Sequence, residues 1–339
     1  MSVTLITGAA GFIGFHLAHH ILSNSTETFI IGFDNLNDYY DVGLKNARLD
    51  ILRDYNNFTF IKGDLLDKST LDTLFIKYKP EVIINLAAQA GVRFSITYPE
   101  AYINSNVLGF FNILEACRHY KPTHLIYASS SSVYGSNKKT PYAIEDKTDN
   151  PVSLYAATKK ANELFAYTYS KLYNIPMTGL RFFTVYGEYG RPDMAYYNFT
   201  EKMIKGEPIN LFNYGDMYRD FTYVGDVIKG LTKIINKPPA TDVHGVYHRL
   251  YNIGNNRPEK LVYFVDILER ILIEEGLINQ PAKRELLPMQ QGDVFQTFAD
   301  VEDLKRDFGF KPDTSLETGL IKFVKWYKEY HKNKILIPI

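Results

Sequence analysis

Residues 3–14 read VTLITGAAGFIG: an apolar run breaks at Gly8 and resumes after the third glycine as residues 12–23, with Phe12, Ile13, Leu17 and Ile21 on one helical face. Glycine at 8, 11 and 14 permits a tight turn, close backbone approach to a pyrophosphate, and close packing of helix on strand. The helix start adds free N–H groups and the positive end of its dipole. The stretch predicts a phosphate-cradling turn built from Gly8, Gly11, Phe12, Ile13 and Gly14.

The neighbouring runs agree with this reading. FIIGFD (29–34) ends on Asp34, twenty residues after Gly14, where a carboxylate accepts from adenosine ribose hydroxyls and repels a 2′-phosphate, so NAD is expected rather than NADP. Asn35 follows it into the same site. FTFIKGD (58–64) ends on Asp64, beside Leu65. Asp64 has two readings, an acceptor for the adenine amino group or a helix cap. VIINLAA (82–88) brings Leu86, Ala87 and Ala88 to the same end of the sheet.

Strand-like runs alternate with helical patterns near residues 44–55, 69–77, 101–120 and 154–173, which implies right-handed crossovers and a parallel sheet covered on both faces. The expected class is α/β: a Rossmann-like doubly wound parallel sheet over residues 1–182, rejoined by about 220–254, with a smaller mixed α/β substrate-binding domain from 183–219 and 255–339. After Phe183 the rhythm breaks in TVYGEYGRPDMAYYN.

Tyr155 and Lys159 in YAATK lie four residues apart, on one helix face. A phenol is a poor base at neutral pH unless cations stabilise the phenolate, and Lys159 together with a cationic nicotinamide ring is expected to do so. Ser129 to Ser132 end the strand HLIYASS, where ligands of parallel sheets gather. A hydroxyl there can relay the proton leaving a substrate oxygen.

Composition narrows the field. The 38 Lys+Arg and 38 Asp+Glu cancel to a formal charge of +0, so no partner of nucleic-acid or anionic-membrane type is expected. No apolar run reaches the roughly 18–20 residues of a spanning helix, and no basic leader precedes the first strand, so the cytoplasm is the expected location. Cys117 is the only cysteine and reads as a small buried apolar residue. His16, His19 and His20 lack a partner at ligand spacing, so no metal is expected.

Taken together, GAAGFIG, YAATK and RDFTYV resemble the extended short-chain dehydrogenase/reductase family, the NAD-dependent epimerases and dehydratases, across essentially the whole chain. Within it the segments at 37–52, 85–96, 181–195 and 219–227 are most similar to UDP-glucuronate 4-epimerases. The resemblance implies an isomerase that converts UDP-glucuronate to UDP-galacturonate through a 4-keto sugar, keeps its NAD bound, and forms a homodimer through a four-helix bundle of residues 101–120 and 154–173. The alternatives are a 4-epimerase of UDP-glucose, of UDP-N-acetylhexosamine or its uronic acid, and a non-catalytic NAD-binding protein.

By the same resemblance Ser130 is the catalytic hydroxyl beside Tyr155 and Lys159. Ser131 and Ser132 stand where related dehydratases and decarboxylases carry an acid. The 4-ketone of a uronate is a β-keto acid prone to lose carbon dioxide, so its carboxylate must be pinned, with Ser131, Ser132 and Thr184 as donors. Arg191 is either a further partner or a solvated loop charge. Arg219 matches the diphosphate-binding arginine and Asn198 a phosphate or sugar contact, while Phe212 either packs on uracil or belongs to the core. The relatives' late Arg-x-Gly-Asp reads here as residues 290–293, QQGD, which lacks the second phosphate cation.

Overall fold

In the computed structural model, which describes residues 2–290 and 294–332, seven parallel strands form one sheet. Their spatial order is Phe58–Lys62, Thr28–Asp34, Ser2–Thr7, Val82–Asn85, His124–Ser130, Met177–Phe182 and His248–Ile253. Strand order reverses between Ser2–Thr7 and Val82–Asn85, and a crevice forms at such a switch point, beyond the carboxyl ends of the strands.

Period-two alternation sends successive side chains into different layers. Ile6, Ile30, Ile84 and Ile126 join one buried cluster; Leu5, Ile31, Ile83 and Leu125 join the other. The first layer holds helices Phe12–Asn24 and Val224–Ile235, which pack on each other, and the second holds Lys68–Tyr78, Gly109–Tyr120 and Leu154–Tyr173. Cys117 lies fully buried in the second layer. This is the Rossmann-like arrangement expected.

A smaller sheet forms around Tyr218–Tyr223, paired with Pro258–Lys260, Gln296–Thr297 and Thr184–Tyr186; Ile209–Phe212 pairs separately with Arg284–Leu287. Helices Leu261–Glu274 and Leu316–Tyr330 cover it. Leu268, Phe264, Phe323 and Tyr196 belong to the same apolar cluster as Ile6 and Leu17, so the lobe is continuous with the first layer of the large sheet.

Two segments differ from expectation. Residues 195–204, beginning in the last four residues of the stretch whose Gly, Pro and Tyr break the rhythm, form the helix Ala195–Ile204 because Tyr196, Tyr197, Phe199 and Met203 give it a buried face. The helix expected over 101–120 is Pro99–Tyr102, a π-helical stretch Ile103–Leu108, then Gly109–Tyr120. Among the described residues no helix is long and apolar enough to cross a membrane.

Candidate active site

At the carboxyl ends of the sheet a cleft of about 1010 Å³ separates it from the smaller lobe. Every residue singled out above as a site residue lines it: Gly8, Gly11, Phe12, Ile13, Gly14, Asp34, Asn35, Asp64, Leu65, Leu86, Ala87 and Ala88 on one side, Ser130, Ser131, Ser132, Tyr155 and Lys159 at the centre, and Thr184, Arg191, Asn198, Phe212 and Arg219 toward the lobe. Residues 290–293 extend into 291–293, which lie outside the described residues.

The glycine turn fits a dinucleotide. Gly8 has φ +72°, and a Cβ there would stand 2.7 Å from the Ala87 nitrogen; one at Gly14 would stand 2.1 Å from the Gly8 carbonyl oxygen. No side chain caps helix Phe12–Asn24, so its first-turn N–H groups face the cleft as an anion cradle. Asp34 accepts from the N–H groups of Ala10 (3.1 Å) and Leu36 (2.9 Å). Burial raises its pKa, which the Leu36 N–H and the Lys45 charge oppose. Two of its lone pairs are thus engaged in shaping the turn, and those left can meet a ribose.

Asp64 is not a helix cap: Asp67 caps Lys68–Tyr78. Asp64 instead accepts from the Leu66 N–H (2.9 Å) and the Asn35 amide (2.8 Å), tying together two cleft residues from adjacent strands.

Helix Leu154–Tyr173 starts under a Ser153 cap, whose hydroxyl accepts from the Ala156 N–H. Its first turns project Tyr155 and Lys159 into the cleft. The Lys159 ammonium donates to the Ala128 carbonyl (2.9 Å), and burial lowers its pKa to about 8. The expectation of a stabilised phenolate concerns Tyr155 beside both Lys159 and a nicotinamide ring. In the chain alone burial raises the phenol above its usual value, and the opposing influences are the Ser130 hydroxyl and the Arg191 charge. Helical spacing brings Tyr155 and Lys159 to one face, but the strand carbonyl holds the ammonium.

The four serines divide their work. Ser129 turns from the cleft centre to donate to Glu163 (2.7 Å). Ser130 donates to the Ser132 hydroxyl (3.1 Å) and accepts from the Ser132 N–H (3.1 Å). Arg191, in the same cleft, is no solvated loop charge. Its Nε donates to Asp193 Oδ1 (3.0 Å) and its Nη2 to Oδ2, while Tyr39 donates to Oδ2 from the facing loop (3.1 Å). Phe212 carries the Arg93 guanidinium 4.6 Å from its ring centre, and Arg219 donates to the carbonyls of Tyr218 (2.8 Å) and Phe295 (3.2 Å).

Several cleft residues carry no spacing signal: Tyr39, Arg93 and Asp193 are recognised only once the loops fold together. Asn106 is another. Its amide donates to the Gln89 carbonyl (3.0 Å) and Thr158 Oγ1 (3.1 Å), its side-chain oxygen accepts from the Gln89 N–H (2.8 Å), and its backbone carbonyl accepts from Asn162 (2.7 Å). The π-turn places it there, bracing the Ala87–Gly91 loop against helix Leu154–Tyr173. His16 bonds the Glu188 carbonyl through Nε2 (2.7 Å), and burial keeps it neutral, with its pKa lowered to about 4.

The model of the NAD dependent epimerase/dehydratase family matches residues 4–254. Protein CapI of Staphylococcus aureus is 49% identical over 97% of this chain and 99% of its own. The probable UDP-glucuronate 4-epimerase of Rhizobium meliloti is 43% identical over 97% of each chain. Among solved structures, the UDP-glucuronic acid 4-epimerase from Bacillus cereus in complex with UDP-glucuronic acid and NAD superposes with a TM-score of 0.87, at 32% identity, over 97% of this chain and 99% of that one.

Proposed function

This chain belongs to the NAD-dependent epimerase/dehydratase family and is an NAD-dependent nucleotide-sugar 4-epimerase, and from that premise we propose that it interconverts UDP-glucuronate and UDP-galacturonate. One observation carries the choice of sugar: Ser130, Ser131 and Ser132 put hydroxyls, not a carboxylate, beside Tyr155, in a cleft that Arg191 also lines. A uronate brings its own negative charge, which an acid in the serine run would repel and an arginine attracts.

Bound NAD supplies the hydride acceptor, and later donor, at C4. Tyr155, as phenolate, takes the proton of the C4 hydroxyl, and Ser130 bridges phenol and sugar oxygen. Lys159 holds an ammonium behind them. The product of that step is a 4-keto sugar whose carboxylate sits β to the carbonyl. Carbon dioxide leaves only when the carboxylate-bearing bond aligns with the carbonyl π system, so donors that fix the carboxylate suppress the loss. Ser131, Ser132, Thr184 and Arg191 take that role, while Arg219 and Asn198 hold the diphosphate side and Phe212 borders the uracil. Gly8, Gly11, Phe12, Ile13, Gly14, Asp34 and Asn35 hold the dinucleotide, with Asp64, Leu65, Leu86, Ala87 and Ala88 along its edge.

The assay is incubation of the holoenzyme with UDP-glucuronate, UDP-glucose and the UDP-N-acetylhexosamines, with products resolved by chromatography. UDP-galacturonate from the first is expected. Rapid turnover of a neutral hexose with none of the uronate would overturn the assignment.

The chain also pairs with a second copy in this reading. Leu108, Phe111, Leu164, Tyr167 and Leu172 are apolar yet exposed on the helices Gly109–Tyr120 and Leu154–Tyr173 and the π-turn before them, as a bundle face requires. Light scattering should give twice the 39.0 kDa chain mass; a monomer at micromolar concentration would remove the pairing.

A further inference from the structure

Arg48, in helix Val42–Arg53, is fully buried, and no carboxylate among the described residues lies within ion-pair distance of it. A charge withdrawn from water without a counter-ion is costly unless every donor is satisfied, and here all are. Nη1 donates to the Ala10 carbonyl (2.7 Å) and the Tyr40 hydroxyl (2.7 Å); Nε donates to the Tyr189 carbonyl (3.1 Å); Nη2 donates to the carbonyls of Tyr189 (2.6 Å) and Gly190 (3.3 Å). A leucine or methionine would fill the space without desolvating a charge, so the guanidinium is kept for what it joins.

It joins two segments far apart in sequence. Ala10 is the middle of the glycine turn, its N–H already held by Asp34. Tyr189 and Gly190 lead directly into Arg191. Tyr189 has φ +52° and packs between Phe15 and Trp326, each ring centre 4.9 Å away. His16 holds the Glu188 carbonyl, and a Cβ at Gly190 would stand 1.8 Å from the Tyr196 hydroxyl oxygen. The backbone entering Arg191 is therefore fixed residue by residue to the N-terminal half, and Asp193 fixes the guanidinium beyond it.

We propose that Arg48 is the positioning residue for Arg191: it sets the distance between the dinucleotide turn and the arginine that meets the uronate carboxylate, while touching neither sugar nor cofactor. The inference rests on the reading of Arg191 as a carboxylate partner. Arg48→Lys keeps a positive charge but cannot reach both segments, since the ammonium is a point donor and the guanidinium a planar fork.

The test titrates UDP, UDP-glucose and UDP-glucuronate into the NAD-loaded full chain, in a Tyr155→Phe background that silences turnover. Arg48→Lys is expected to weaken UDP-glucuronate about tenfold, a displacement effect, and to leave UDP and UDP-glucose within about twofold. Arg191→Met should show the same selectivity, and Arg48→Lys added to it should cost nothing further, because the two act as one unit. Arg48→Met is the harsher variant; if it fails to fold, as judged by unfolding temperature and retained NAD, Arg48→Lys decides. Equal weakening of all three ligands in Arg48→Lys, or of none while Arg191→Met stays selective, overturns the inference alone. An Arg191→Met chain without selectivity overturns the carboxylate reading and the inference with it.

Discussion

Glu163 and Arg181 meet as a fork, Nε to Oε1 at 2.8 Å and Nη2 to Oε2 at 2.9 Å, with both side chains buried between the catalytic helix and the sheet. Glu163 lies one turn beyond Lys159, and its Oε1 also accepts from Ser129, the neighbour of Ser130. The Tyr134 ring lies 4.8 Å from the guanidinium. The pair anchors the helix that carries Tyr155 to strand Met177–Phe182, and Ser129 joins the same carboxylate to the neighbouring strand, which carries the serines.

Removing one partner of such a pair leaves a buried, uncompensated charge. Glu163→Gln is expected to lower the unfolding free energy by about 3–5 kcal/mol, read from urea denaturation of the NAD-loaded protein. A loss under about 1 kcal/mol would mean that water reaches Arg181.

Tyr155→Phe removes the proton acceptor and little volume. Turnover should fall by roughly 10²–10⁴, while bound NAD and the affinity for UDP stay as they are. Retention of full turnover would assign the base elsewhere.

Burial lowers the Lys159 pKa to about 8. If its positive charge supports the Tyr155 phenolate during proton transfer, kcat/KM should decline above about pH 8, and Lys159→Met should be slow at every pH. A wild-type profile level to pH 10 would show that the charge is dispensable.

Ser132→Glu puts a carboxylate at the serine run that lines the cleft. Repulsion and desolvation should weaken UDP-glucuronate by at least about tenfold relative to UDP-glucose, measured by competition. Equal loss for both sugars would locate the uronate carboxylate elsewhere.

His124 is buried with Nδ1 against the Ile235 carbonyl and Nε2 against Thr178 Oγ1, and burial lowers its pKa from 6.5 to about 4. Between those values the unfolded chain binds a proton that the native chain refuses, so stability falls as pH drops from 6.5 toward 4 and is unaffected above. His124→Asn should be less stable at pH 7 yet lose less on acidification. Parallel urea midpoints against pH would exclude this ring as a source of acid sensitivity.

The glycine turn, Asp34, the serine run and the Tyr155/Lys159 pair were legible because each rests on local spacing, and strand burial was legible because isoleucine and leucine alternate faces. The contacts of Arg48 with Tyr189 and of Tyr39 with Asp193 were not, since they span 141 and 154 residues and no period links them. The partner of Lys159 was hidden for a related reason: helix spacing gives the face that Lys159 occupies but not the Ala128 carbonyl that claims its ammonium. The division of labour among the serines likewise depends on Glu163 and Ser132, which only the folded strand and helix bring into reach.

The wide turn at Ile103–Leu108 amounts to one surplus residue wound into an otherwise regular helix. Its constraint is on length rather than on chemistry. Excising any one of the six residues would return the coil to ordinary winding with its flanks still in phase, and take from Asn106 the protrusion by which it meets Gln89 and Thr158. Many side-chain exchanges there should be harmless, whereas single-codon deletions should be as damaging as losing the tyrosine itself.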